Sequence, residues 1–206
     1  MHLKPLHAVV AVAALATLAG CATNPLEAQW SDPQLVVNKP LGGGARVLVV
    51  CESQDEVLRR ICQDRVGAEL TAAGAMPVSA PDVGTTTSAP GGPAPYVAAA
   101  RTANAKAVFV TSIAPGASVA RPGLSIGVGL GGFGGGGFGG GVGVSAPIGG
   151  GRIETSLAAN TSVTDVATGR LMWTARASTA PSNDVSAQAA ELAKKVVTGA
   201  GQAGLL

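Results

Sequence analysis

The chain has 206 residues, 47% of them apolar, 13% charged and only 3% aromatic, with 30 glycines. That length admits one modest domain plus a biased segment and excludes a large multidomain enzyme. Net charge is +2, and because Lys4 is the only charged residue among the first twenty, the remainder carries +1. Nucleic acid is therefore not an expected partner, since phosphate backbones demand a cationic excess. Both histidines, His2 and His7, fall in the same opening stretch. Removing that stretch leaves no imidazole, and with it no catalytic triad and no His-ligated metal site.

Residues 1–20 place Lys4 before an apolar run from Ala8 to Ala16, then Leu18-Ala19-Gly20 before Cys21. This is the anatomy of a secretory signal, and the run falls well short of the roughly 20 residues that a membrane-crossing helix requires. The tetrad ending at Cys21 resembles the lipobox of bacterial lipoproteins. That resemblance implies cleavage between Gly20 and Cys21 and acylation of the Cys21 thiol, which makes Cys21 the first residue of the processed chain. Each buried methylene contributes about 0.8 kcal/mol, so two or three acyl chains anchor a protein durably without any transmembrane helix. Ala22, where an aspartate often marks inner-membrane retention, implies by the same resemblance an outer-membrane location with the body facing the periplasm. The cell surface is the alternative.

Residues 21–45 carry Pro25, Pro33, Pro40 and Gly42-Gly43-Gly44 without a helical period. They read as a lipidated tether, and a flexible chain of this length has a typical reach of roughly 25–30 Å. Within it, Leu35-Val36-Val37 is a short extended piece able to dock on the body. Trp30 has two readings, a cap on the fold or an interfacial anchor.

Folded structure is expected over residues 46–200. Arg46 to Val50 reads as a buried strand. A helix follows, capped by Ser53 with Glu56 three positions on, carrying Val57, Leu58, Ile61, Val66 and Leu70 at helical spacing and ending at Gly74. Met76 to Ser79 is a short strand whose Pro77 suits an edge, and a Pro/Gly/Thr-rich loop runs from Ala80 to Pro93. An alanine-rich helix from Pro95 to about Asn104 leads into a buried strand, Ala107 to Ile113. Two strand-helix-strand units imply right-handed crossovers with helices packed on a sheet. Arg152 to Val166 alternates with period two. The turn at Ala167-Thr168-Gly169-Arg170 returns the chain into Leu171 to Ala177 as an antiparallel hairpin, with glycine where positive φ is needed. A last helix starts near Ser182-Asn183-Asp184, with Val185, Ala189, Leu192 and Val196 on one face and Lys194 and Lys195 toward its negative end.

The run Ala107 to Ile113, the long strand, the segment Asp165 to Trp173 and the closing helix resemble a domain-of-unknown-function family of proteobacterial lipoproteins. Members of that family often carry a Gly/Val-rich stretch before the hairpin. More distantly, the element order is similar to the small α/β domain of the TolB amino-terminal part, of the lipoprotein activators of penicillin-binding proteins and of the curli secretion lipoprotein. The inserted glycine stretch departs from those relatives, so their partners do not carry over. The expected fold class is α/β (α+β): a small mixed sheet of about five strands with three helices, in the order β-α-β-α-β, Gly-rich insertion, β-β-α.

That insertion, residues 123–151, holds 16 of the 30 glycines. Leu124, Ile126, Val128 and Leu130 alternate on entry and Val142, Val144 and Ala146 on exit, with Phe133 and Phe138 between them. Three readings stay open: a loosely paired surface excursion, a hairpin that pairs with a sheet, a second copy or a partner, and a membrane-inserted barrel hairpin. Phe133 and Phe138 are the candidate partner contacts.

Beyond Cys21, the thiols are Cys51 and Cys62, a candidate disulfide in an oxidising envelope. No histidine is left to activate either as a nucleophile. Glu52, Asp55, Glu56 and Asp64 surround the first helix start, where carboxylates complement the helix dipole, and Arg59, Arg60 and Arg65 follow on a solvated face. No phosphate loop, metal-ligand set or cofactor motif is present. The sequence thus points to a membrane-anchored, non-enzymatic module that binds an envelope protein, with no catalytic, metal or cofactor site. The alternative is an oligomeric outer-membrane pore or secretion component built from the glycine hairpin.

Overall fold

The computed structural model describes residues 25–34, 39–80, 94–121 and 152–206. Along them lie β1 (Ala28–Ser31), β2 (Arg46–Glu52), α1 (Glu56–Ala72), β3 (Met76–Ser79), α2 (Ala94–Thr102), β4 (Ala107–Arg121), β5 (Arg152–Asp165), β6 (Leu171–Ser178) and α3 (Val185–Gln202). The strands form one mixed sheet in the order β1-β6-β5-β4-β2-β3. β3, β2 and β4 run parallel, while β4, β5, β6 and β1 pair antiparallel. The α/β class and the three helices are as the sequence indicates; the sixth strand is β1.

Within residues 21–45, read as a tether, the segment Ala28–Ser31 is paired into the sheet as β1. Ala28 pairs with Arg176 and Ser31 with Trp173, and Leu26 is buried in the main core. All four β1 residues are exposed, so no buried periodicity marks this strand in the sequence. Backbone pairing to β6, the buried Leu26 and side-chain hydrogen bonds such as that from Trp173 to Gln29 hold it. Leu35-Val36-Val37 lies outside the described residues.

β2 and β4 are covered on both faces, which explains their near-continuous apolar runs. Val47, Val49 and Phe109 face α1 and α3, whereas Leu48, Val50, Val108 and Val110 face α2. Trp173, fully buried, sits in the larger core, where its indole Nε1–H donates to Gln29 Oε1 at 3.3 Å. Within that layer Thr111 and Thr161 share a hydrogen bond of 3.2 Å across β4 and β5. Leu205 and Leu206 close the far end of the same core, and Leu41 N donates to Leu205 O at 2.8 Å.

β4 is longer than expected. It continues past Ile113 through Pro115 and a bulge between Pro115 and Ser118, then pairs with β5 out to Arg121 and Arg152. β2 ends opposite Ser112, so Pro115 lies where one flank of β4 no longer has a ladder partner, and a missing N–H is tolerated there. The Gly-rich insertion therefore joins two paired strands as the loop of a hairpin; its own residues lie outside those described.

Local signals are otherwise realised with small shifts. Asp55, not Ser53, caps α1: its carboxylate accepts from Val57 N at 2.8 Å and Leu58 N at 3.1 Å, while Ser53 Oγ accepts from Asp55 N. A carboxylate is both acceptor and dipole complement, so it prevails over the hydroxyl two residues earlier. Gly169 has φ 71° in the β5–β6 turn, where Asp165 Oδ1 accepts from Thr168 N at 2.6 Å. Lys194 and Lys195 do not complement a helix end, because α3 runs on to Gln202; Lys195 Nζ instead donates to Ser178 O at 2.7 Å and pairs with Glu191.

Candidate functional site

Cys51 ends the buried part of β2 and Cys62 lies on the buried side of α1. The strand-to-helix loop turns back far enough to bring their Cα atoms to 6.0 Å, and the two are joined by a disulfide. A disulfide has no free thiolate, so this pair offers no nucleophile. The acidic group around it is engaged locally. Glu56 pairs with both Arg59 and Arg60, whose hydrogen bonds hold its carboxyl below the ordinary carboxylate range. Among the described residues no group of three His, Cys, Asp or Glu side chains is placed to hold a metal ion. Gly20, Cys21, Phe133 and Phe138 lie outside the described residues.

Two surfaces stand out for binding. The first is the face of the sheet beside α2. This short helix covers β2 and β4, so the same face of β5, β6 and β1 stays open. There the register aligns Trp30 with Thr174 and Ser162, and Ala28 with Arg176 and Asn160. Trp30 is 47% exposed. Arg176 Nε donates to Asn160 Oδ1 at 3.2 Å, and Thr174 Oγ1 donates to Thr161 O at 2.9 Å. At the α2 side of this face the Tyr96 hydroxyl donates to Glu52 Oε1 at 2.7 Å; burial first, then that hydrogen bond and the Glu52 charge, push the phenol up to about 12. An aromatic plane, hydroxyls and one guanidinium suit contact with another polar surface. None of them forms a base-and-nucleophile pair.

The second surface is the outer edge of β1. Its sequence, Ala-Gln-Trp-Ser, is uncharged and free of proline. Natural edges are ordinarily guarded by brevity, charge, proline or a bulge, and β1, four residues long, has only the first of these. The opposite edge, β3, conforms, since Pro77 sits within it. A shallow, open cleft of about 670 Å³ at the other end of the sheet is lined by Leu41, Arg101, Lys106, Asp165 and Met172. There Arg101 Nη2 donates to Val166 O at 3.3 Å, so it serves the fold.

Sequence reasoning placed Trp30 without its strand and passed over Gln188. That amide is buried at the start of α3 and its Nε2 lies 2.9 Å from Thr155 O, Thr179 Oγ1 and Ala180 O. It fastens the helix start to the base of the β4–β5 hairpin. A polar residue on the otherwise apolar α3 stripe was the available signal.

No family model matches the chain, and no curated protein matches it. Among solved structures, the PelC dodecamer from Paraburkholderia phytofirmans is similar at 17% identity, covering 84% of this chain and 94% of that one with a TM-score of 0.45. Lipoprotein GNA1162 from Neisseria meningitidis is similar at 18% identity, covering 77% of this chain and 99% of that one with a TM-score of 0.43.

Proposed function

We propose that this protein is an envelope lipoprotein, anchored in the outer membrane through acylated Cys21 with its body in the periplasm, that binds a protein partner and carries no active site. The docking site is the outer edge of β1, to which an extended segment of the partner adds as a further strand. The observation that carries this reading is the free edge: four exposed residues without charge or proline, among them Trp30, which a partner side chain can cover. Backbone pairing gives such a complex its affinity and alternate side chains give it specificity.

The test is a photoreactive residue at Gln29 in intact cells, with and without Ser31→Lys. A single captured envelope protein, lost on adding the edge lysine while the melting temperature is unchanged, supports the reading. Capture that survives the lysine, or no capture, removes it.

A second reading, an oligomeric outer-membrane pore or secretion component, is favoured by the β4–β5 hairpin. Its ladder runs on past Ala158, the last residue of β5 paired with β6, and so offers further backbone edges to other copies. Native mass spectrometry after detergent extraction separates the two: one closed oligomer favours the pore, and a monomer favours the docking module.

A further inference from the structure

We infer that the β4–β5 hairpin end of the body meets the lipid surface, with Val119 and Ile153 in the headgroup layer and the β5–β6 turn pointing away. This rests on acylation of Cys21. The argument starts from strand directions. β1 runs antiparallel to β6 and β6 antiparallel to β5, so β1 begins at the same end of the sheet where β6 ends, β4 ends and β5 begins. The chain therefore enters the fold from its anchor at the very end from which the hairpin projects.

Lengths then restrict the geometry. Leu26 is buried in the core and Glu27 accepts a hydrogen bond from the Ser178 hydroxyl, which fixes the entry point level with the end of β6. Only five residue steps separate Leu26 from Cys21, a span of at most about 18 Å. From Ala158, level with Ser178, the β5 arm runs six further residues to Arg152, or about 20 Å. A bilayer tied to Cys21 thus lies no farther out than the hairpin reaches. In the other direction Leu171 is seven residues from Ser178, about 24 Å away, beyond the reach of the anchor.

The chemistry of the arms agrees. Ile153 is 68% exposed and Val119 47% exposed. They are paired with Ala120 and Glu154 respectively, so they belong to opposite faces of the ribbon. Thr155 bridges Ser182 once, and beyond it the ladder joins only β4 and β5. The last backbone pair of the ladder is Arg121 with Arg152. The sequence between them, residues 122–151, has no charged residue.

The experiment uses the acylated full chain in phosphatidylethanolamine and phosphatidylglycerol vesicles. With Cys21 acylated and Cys51 bonded to Cys62, a cysteine introduced at Ile153, at Val119 or at Thr168 in the β5–β6 turn is the one free thiol. Each is labelled with a polarity-sensitive fluorophore, and spin-labelled lipid is added. Labels at Ile153→Cys and Val119→Cys are expected to shift to the blue and lose most of their emission, while the Thr168→Cys label keeps its own. If the acylated protein floats with the vesicles but both hairpin labels stay unquenched, or the turn label is quenched, the orientation is wrong while the anchor stands. If mass spectrometry finds no acyl group, the lipoprotein reading fails, and the orientation falls with it.

Discussion

A Cβ placed on Gly199 of α3 would fall on the δ-methyl of Leu26, with Leu26 Cγ only 3.1 Å away. The last turns of the final helix thus accept the first buried side chain of the described fold, and the missing Cβ is what lets it in.

Gly199→Ala is expected to force Leu26 out of its seat. Overpacking costs about 1–3 kcal/mol, against a gain of about 1 kcal/mol from alanine in a helix, so the net change is a modest loss. Leu26→Ala alone should cost about 2–3 kcal/mol. Because the shortened side chain makes room for the new methyl, the double variant should be more stable than the two single losses added together. Urea titration of the four proteins checks this; strict additivity would disprove the contact.

Removing the Cys51–Cys62 disulfide should destabilise the body. The crosslink closes a short loop, eleven residues apart in sequence, and the chain-entropy relation gives about 3 kcal/mol for a loop of that size. For a domain of this length that is about 6–12 °C in Tm. Calorimetry of Cys51→Ser/Cys62→Ser reads it, with alkylation under non-reducing conditions confirming that both thiols of the parent are consumed.

Tyr96 gives a pH signature that is clean because the chain has one tyrosine. Its phenol stands at about 12 against an ordinary 10.0, raised by burial first and by Glu52 second. The unfolded chain gives up this proton before the folded one does. The contribution of Tyr96 to stability is therefore full below pH 10 and declines as pH rises toward 12. Absorbance at alkaline pH should show the late titration, and Glu52→Gln should bring it part of the way back, leaving the share due to burial.

Thr164 is fully buried, and its Oγ1 has no hydrogen-bond partner. Burying an unpaired hydroxyl carries a desolvation cost, so Thr164→Val is expected to raise the unfolding free energy by about 1 kcal/mol. A loss of that size in denaturant titration would mean that the hydroxyl is paired in solution.

The parts of this fold legible in the sequence are those whose burial repeats locally. Val47 to Cys51 of β2 and Ala107 to Val110 of β4 are apolar without interruption because a helix covers each face, and the 3.6-residue spacing of Leu58, Cys62, Val66 and Leu70 marks the buried side of α1. Gly169 stands where only a residue tolerant of positive φ fits. The Cys51–Cys62 pairing was a candidate and no more, because it depends on how far the loop after β2 folds back. The β1 edge was not legible at all: β1 has no buried side chain of its own, and its existence follows from an exposed segment finding the free edge of β6.

The sequence by itself therefore determined the class of fold, most of the helices and strands and the hairpin turn, all of which depend on neighbours a few residues apart. Tertiary structure alone decided that residues 28–31 pair into the sheet, that β4 outruns its neighbours to pair with β5, and that the described chain enters at the hairpin end. Those features depend on backbone hydrogen bonds and side-chain contacts between segments far apart in the chain, more than a hundred residues for Leu26 with Gly199 and for Ala28 with Arg176. No local periodicity records such contacts, since the residues that make them are apolar or polar for reasons set by their distant partners.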